Sequence, residues 1–234
     1  MGTSTTMGMS AVDAKGASGA PRDREGGIFC LVGTAVALAS LPLAPPWPAA
    51  DAPADVIRQY FTDHGSAFLA QCIVLSVGFV VLLRLYGGLA RAVARAGAEG
   101  YGWTALAGAA IMTGAIIVGN APWAVLAYRS PPDAGLLLTM WDLGLISAFT
   151  VAGPCIAAMW IPLGLGVLRT RALPTGFGYA LLGAAAVHIG AGACVARSGA
   201  FSPNGPAGLA SILVHVGCTI AGAVLLLRRV PAAT

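Results

Sequence analysis

The chain has 234 residues, 57% of them hydrophobic and 9% charged, and a mean hydropathy of +0.81. Soluble domains carry charge on about a quarter of their residues, so this composition excludes an ordinary water-soluble domain and predicts an integral membrane protein. The net charge of +4 is too small and too spread out for a nucleic-acid groove, and five cysteines standing singly in apolar runs argue against a disulfide framework or a thiolate metal site.

Residues 1–27 mix Gly, Ser, Thr and Ala with scattered charges and show no apolar periodicity, which predicts a disordered cytoplasmic tail. Residues 28–44 form an apolar run ending at Pro45 and Pro46, just long enough to cross a bilayer. The arginines before this run and the small residues after it also suit a cleavable signal. Residues 51–65 open with Pro53 and place Val56, Ile57, Tyr60 and Phe61 on one side of a short helix expected to lie along the interface. Further spans are expected at about 67–86, 102–127, 136–165, 174–196 and 208–227, joined by short loops of Gly, Pro, Ser and Arg. The predicted fold class is therefore all-α, a polytopic membrane bundle of six transmembrane helices over residues 28–229, followed by a cytoplasmic C-terminus at 230–234.

The positive charges support this topology. The tail, the second and fourth loops and the C-terminus hold Lys15, Arg22, Arg24, Arg84, Arg91, Arg95, Arg169, Arg171, Arg228 and Arg229, against only Arg58, Arg129 and Arg197 in the other loops. Cytoplasmic loops carry the excess of Lys and Arg, so both termini are expected in the cytoplasm and the protein in the cell membrane.

Against this apolar background the polar residues stand out. Asp142, beside Trp141 in the fourth span, falls roughly 9 Å inside the bilayer if its helix begins near Leu136. Asn120, His188 and His215, counted from the outer ends of their expected spans, come to about the same depth, with Gln71 slightly shallower. Pro154 and Pro162 should kink the fourth helix below that layer. Ionisable groups inside a membrane are costly and mark functional sites by default, whereas Asn120 and Gln71 also suit plain helix-to-helix hydrogen bonding.

Three chemistries could use such a layer. A two-histidine, one-carboxylate metal set lacks any HxxxH or HxxH spacing, so no metal and no cofactor are expected. A proton or solute path would use Asp142, His188 and His215 as relays, but the inner halves of the same spans offer few polar steps. Acid catalysis on an apolar substrate would use Asp142 as general acid, since burial keeps a carboxylic acid protonated. Trp123, Trp141 and Phe149 would then flank a cationic intermediate by cation–π attraction.

The order of features, PADVIRQYFTDHG after the first span and ALPTGFGYALLG opening the fifth, resembles the small six-span integral membrane proteins of high-GC Gram-positive bacteria, most of which have no assigned activity. Size, span number and an intramembrane acid are also similar to membrane-embedded terpene cyclases of secondary metabolism, a likeness of architecture alone. Together these readings predict a membrane-embedded enzyme acting on an isoprenoid-type substrate, with Asp142, His188 and His215 catalytic and Trp141, Trp123, Asn120, Phe149 and Gln71 binding substrate. The alternative is a small transporter or accessory membrane protein. The expected partners are a lipid-soluble small molecule and the bilayer, with no nucleic acid, and a homo-oligomer is allowed.

Overall fold

The computed structural model describes residues 20–193, 196–203 and 205–228, with backbone alone for 20–24. These residues form helices and no strand. Helix α1 (Ala20–Ser40) runs into a 3₁₀ turn, Leu41–Leu43. It begins well inside the expected tail, with Pro21 in its first turn, where the missing N–H costs nothing; residues 1–19 of that tail lie outside the described residues. Glu25 and Arg84 pair at 2.9 Å, tying the start of α1 to the second helix.

Helix α2 (Ala54–Arg95) is 42 residues long. At 1.5 Å per residue it spans roughly 63 Å, about twice a bilayer core. The expected interfacial helix is therefore not a separate element: residues 54–65 continue without a break into the expected second span. Nothing at the junction interrupts the chain, since Gly65 is the residue that lets the helix lie 2.7 Å from the Ala127 carbonyl, measured from where a Cβ would stand.

The expected third span divides into α3 (Glu99–Gly119) and α4 (Ala121–Tyr128), hinged at Asn120 just before Pro122. The fourth divides into α5 (Ala134–Leu145), a π-helical turn (Ile146–Val151) and α6 (Ala152–Thr170). Pro154 explains the π turn. It has no N–H for the carbonyl four residues back, and its ring would clash there, so the preceding backbone widens by one residue. Helix α7 (Thr175–Ala191) stops before the expected end at 196, and α8 (Pro206–Leu227) closes the bundle.

Five stretches are long and apolar enough to cross a membrane: Glu25–Leu43, Ala54–Arg95, Glu99–Tyr128, Ala134–Thr170 and Pro206–Leu227. Thr175–Ala191 is a sixth, slightly shorter apolar helix. The molecule is thus an all-helical membrane protein.

Its interior has two parts. A main core joins α1, through Cys30, to α2, α3, α6, α7 and α8 around Tyr86, Met112, Met159 and Trp160. A second, aromatic cluster at the other end joins Ile57, Tyr60, Phe61 and Phe68 of α2 to Trp123 of α4 and Leu137 and Trp141 of α5. Between apolar helices in lipid, association rests on close van der Waals packing rather than on the hydrophobic effect. The first and last helices meet in that way at one end of the bundle, where a Cβ on Gly27 would stand 2.7 Å from Leu227 and 3.0 Å from the Ala223 carbonyl.

Candidate functional site

A cavity of about 200 Å³ lies between the two cores. By volume it would hold about seven waters, and an apolar cavity of about 150 Å³ already takes a benzene. Most of its wall is aliphatic or aromatic, including Leu75, Phe79, Leu82, Ile116 and Ile156. The polar exceptions are few: Thr34, Ser40, Gln71, Asn120, His188, His215 and Thr219.

His215 of α8 is buried within a ring of aromatic groups. Its imidazole lies 5.6 Å from Trp160 and 6.2 Å from Phe79 between ring centroids, and Tyr86 Oη sits 3.0 Å from its Nε2. Only one of these two atoms can donate, so the hydroxyl fixes the tautomer of the histidine or the histidine fixes the rotor of the hydroxyl. His188 of α7 meets the same ring edge-on at 5.6 Å. The nitrogens His215 Nδ1 and His188 Nε2 are buried without a hydrogen-bond partner. Such atoms are rare in folded proteins and cost on the order of 1–3 kcal/mol each.

The backbone explains how His188 comes to be there. It occupies the last turn of α7, three residues before Ala191, rather than the depth expected from a helix ending at 196. That turn presses against α6 at Gly153, where any Cβ would collide with the His188 carbonyl. Gly153 therefore sets how closely α7 can bring its histidine to the cavity.

Of the other expected site residues, Asn120, Trp123, Phe149 and Gln71 also line the cavity. Asn120, at the hinge between α3 and α4, donates from Nδ2 to Ser76 Oγ at 3.2 Å. Phe149 lies on the π turn. Gln71 is held on both sides: its Oε1 accepts from Trp47 Nε1 at 3.0 Å and its Nε2 donates to the Leu41 carbonyl at 3.3 Å. Its geometry is that of a clamp on the chain between α1 and α2, rather than of a group open to a ligand. Trp47, so clamped, packs at 4.9 Å on Trp123 and 5.7 Å on Phe68, and with Trp123 roofs the cavity.

Asp142 and Trp141 do not line it. Helix α5 buries Leu137, Trp141, Gly144 and Leu145, the 3–4 spacing of one inward face. Trp141 thus enters the aromatic cluster, where it packs at 6.1 Å on Phe61, and its carbonyl accepts from Trp123 Nε1 at 3.3 Å. Asp142, turned about 100° from that face, is half-buried beside the exposed Leu143, and its carboxyl has no hydrogen bond or ion pair among the described residues. Asp142 therefore stands beside the aromatic cluster at one end of the bundle, away from the histidines. Gly144 permits the arrangement, because the Trp123 indole lies across the position its Cβ would take.

Tyr86, Trp160 and Trp47 were not among the sequence candidates. Tyr86 falls at the expected end of a span that in fact runs on to Arg95, and Trp47 stands in a proline-rich connection that carries no periodicity. Among the described residues no group of three His, Cys, Asp or Glu side chains gathers as a metal site would require.

The fold and cavity define a class, an all-helical membrane protein with a histidine-bearing apolar chamber. No protein-family model, curated protein or solved structure matches the chain.

Proposed function

We propose that the protein is a multi-pass enzyme of the cell membrane, both termini cytoplasmic, that takes a small neutral isoprenoid-type molecule into this cavity and moves a proton at its oxygen-bearing end. One observation carries the reading: two adjacent buried histidines at the wall of an apolar cavity each keep a ring nitrogen without a partner. A neutral imidazole offers one donor and one acceptor, so one ring can take the proton from the carbon beside a carbonyl while the other protonates the carbonyl oxygen to give the enol. Reprotonation at a further carbon then shifts the double bond without net oxidation. The χ2 torsion of histidine is soft, and a small ring rotation turns either nitrogen to a bound oxygen. Tyr86 bonds Nε2 of His215 and so leaves its Nδ1 as the ring nitrogen free for a ligand. Trp123, Phe149 and Phe79 supply flat apolar contacts for the hydrocarbon part.

Acid-initiated cyclisation through Asp142 has less support than this. Protonating an alkene needs a stronger acid than an imidazolium, and the one carboxyl considered for that role lies off the cavity. The transporter reading gains no support from the roof of Trp47, Gln71 and Trp123 over the outer end.

The test is to reconstitute the protein in phosphatidylcholine vesicles in D2O, supply a panel of isoprenoid aldehydes and ketones, and follow deuterium uptake by mass spectrometry. Turnover should fall by about 10² or more in His215→Ala, the usual scale of acid–base assistance. Equal turnover in the wild type and in His188→Ala/His215→Ala would refute the proposal.

A further inference from the structure

The cavity is closed above and below but not at its side. Above it stands the roof of Trp47, Gln71 and Trp123. Below it α1 and α8 meet tightly: Cys30 Sγ donates to the Thr219 carbonyl at 3.4 Å, and Gly27 lies against Ala223 and Leu227. Towards the roof the same two helices turn facing stripes to the cavity, Thr34, Ala37, Leu38 and Leu41 from α1 and its 3₁₀ turn, and Ile212, His215, Val216 and Thr219 from α8. Three of the cavity-lining residues belong to the well-exposed class, and they converge here: Leu38 is 43% exposed, Leu41 55% and Ile212 44%. All three are aliphatic and stand at the end of the cavity away from the tight Gly27 contact. Ile212 lies one helical turn from His215 along the same face.

From this geometry we infer a lateral mouth between α1 and α8, rimmed by Leu38, Leu41 and Ile212, through which the ligand enters the cavity from the bilayer and not from water. The inference rests on the proposed function and deepens it by setting the substrate class. The molecule partitions into the hydrocarbon, passes an aliphatic rim sideways, and is neutral, since a charged head would have to leave the headgroup layer at a cost of several kcal/mol. It is also small. A two-chain phospholipid far exceeds a chamber of about 200 Å³. Its oxygen meets the histidines first, because His215 is the next residue inward on the stripe that carries Ile212.

The experiment uses geraniol bearing a diazirine, added to the full chain in phosphatidylcholine vesicles and cross-linked by light after timed mixing. Ile212→Trp and Leu38→Trp narrow the mouth from opposite sides, and Leu213→Trp places the same bulk on an exposed α8 position that does not line the cavity. The expected result is labelling of the cavity peptides in all four proteins. The initial rate should fall about tenfold in the two mouth variants and stay at the wild-type rate in Leu213→Trp, within the decades over which association rates vary among variants of one site. Wild-type rates in both mouth variants would overturn the mouth while leaving the ligand reading intact. Failure of the wild type to label its cavity peptides would overturn the ligand reading and the mouth with it.

Discussion

Replacing Tyr86 by Phe removes one oxygen from the interior and leaves the ring packed on Trp160, 5.7 Å away between centroids. The loss falls on His215, whose Nε2 bonds to that hydroxyl and whose Nδ1 already has no partner. A buried polar atom left unsatisfied costs about 1–3 kcal/mol, more than the roughly 1 kcal/mol net value of an average hydrogen bond. For a chain of this length each kcal/mol moves the midpoint by about 2–4 °C, so Tyr86→Phe should lower the thermal midpoint in detergent by about 2–12 °C. The same reasoning predicts coupling. His215→Leu alone strands the tyrosine hydroxyl, whereas Tyr86→Phe/His215→Leu removes both partners and should be less destabilised than the sum of the two single variants by about 1 kcal/mol or more. Additive losses in this cycle, or a Tyr86→Phe midpoint equal to the wild type, would show that the hydroxyl and the imidazole are not bonded.

Gly153→Ala puts a methyl group against the His188 carbonyl, a backbone atom that cannot swing aside; overpacking of about 1–3 kcal/mol should shorten the half-life at elevated temperature, and an unchanged half-life would mean that α6 and α7 stand further apart. Gln71→Leu removes the acceptor of Trp47 and the donor to the Leu41 carbonyl, so the roof should loosen and tryptophan emission shift to the red. An unshifted spectrum would argue that packing alone holds Trp47. Asp142→Asn, at a half-buried carboxylate without a partner, should change stability by no more than about 0.5 kcal/mol and leave cavity labelling intact; a large loss of labelling would return Asp142 to the site.

Much of this fold could be read from the chain because apolar runs of membrane length are separated by proline, glycine and arginine. Apolar helices run through residues 28–40, 67–86 and 208–227, although α1 begins earlier, at Ala20, and α2 extends past the expected span at both ends. Element ends were harder. No breaker separates residues 54–65 from the span after them or stops α2 at Tyr86, so the helix continues to Arg95. The break at Asn120 and the π turn before Pro154 arise from single missing N–H groups, which composition averages away. The site shows the same division. Counting along each helix puts His215, Asn120 and Asp142 at one expected depth, but it carries no information on rotation, because a run that is apolar on every side has no periodicity to orient it. Trp141 and Asp142 are adjacent, and once the α5 face of Leu137, Trp141 and Leu145 turns to the aromatic cluster, the carboxylate turns away from the cavity. His188 reaches the cavity for a different reason: α7 ends early, and Gly153 lets its last turn approach α6.

The central claim is that the cavity between the two cores holds a lipid-soluble ligand against His188 and His215, and filling the cavity tests it most directly. Ala148→Trp adds an indole to the cavity wall from the π turn without altering either histidine. Photolabelling with the geraniol diazirine should then fall by about tenfold or more in the peptides carrying His188, His215 and Trp123, while labelling of the lipid-facing surface around Val118 stays constant. Undiminished labelling of those cavity peptides in Ala148→Trp would contradict the account.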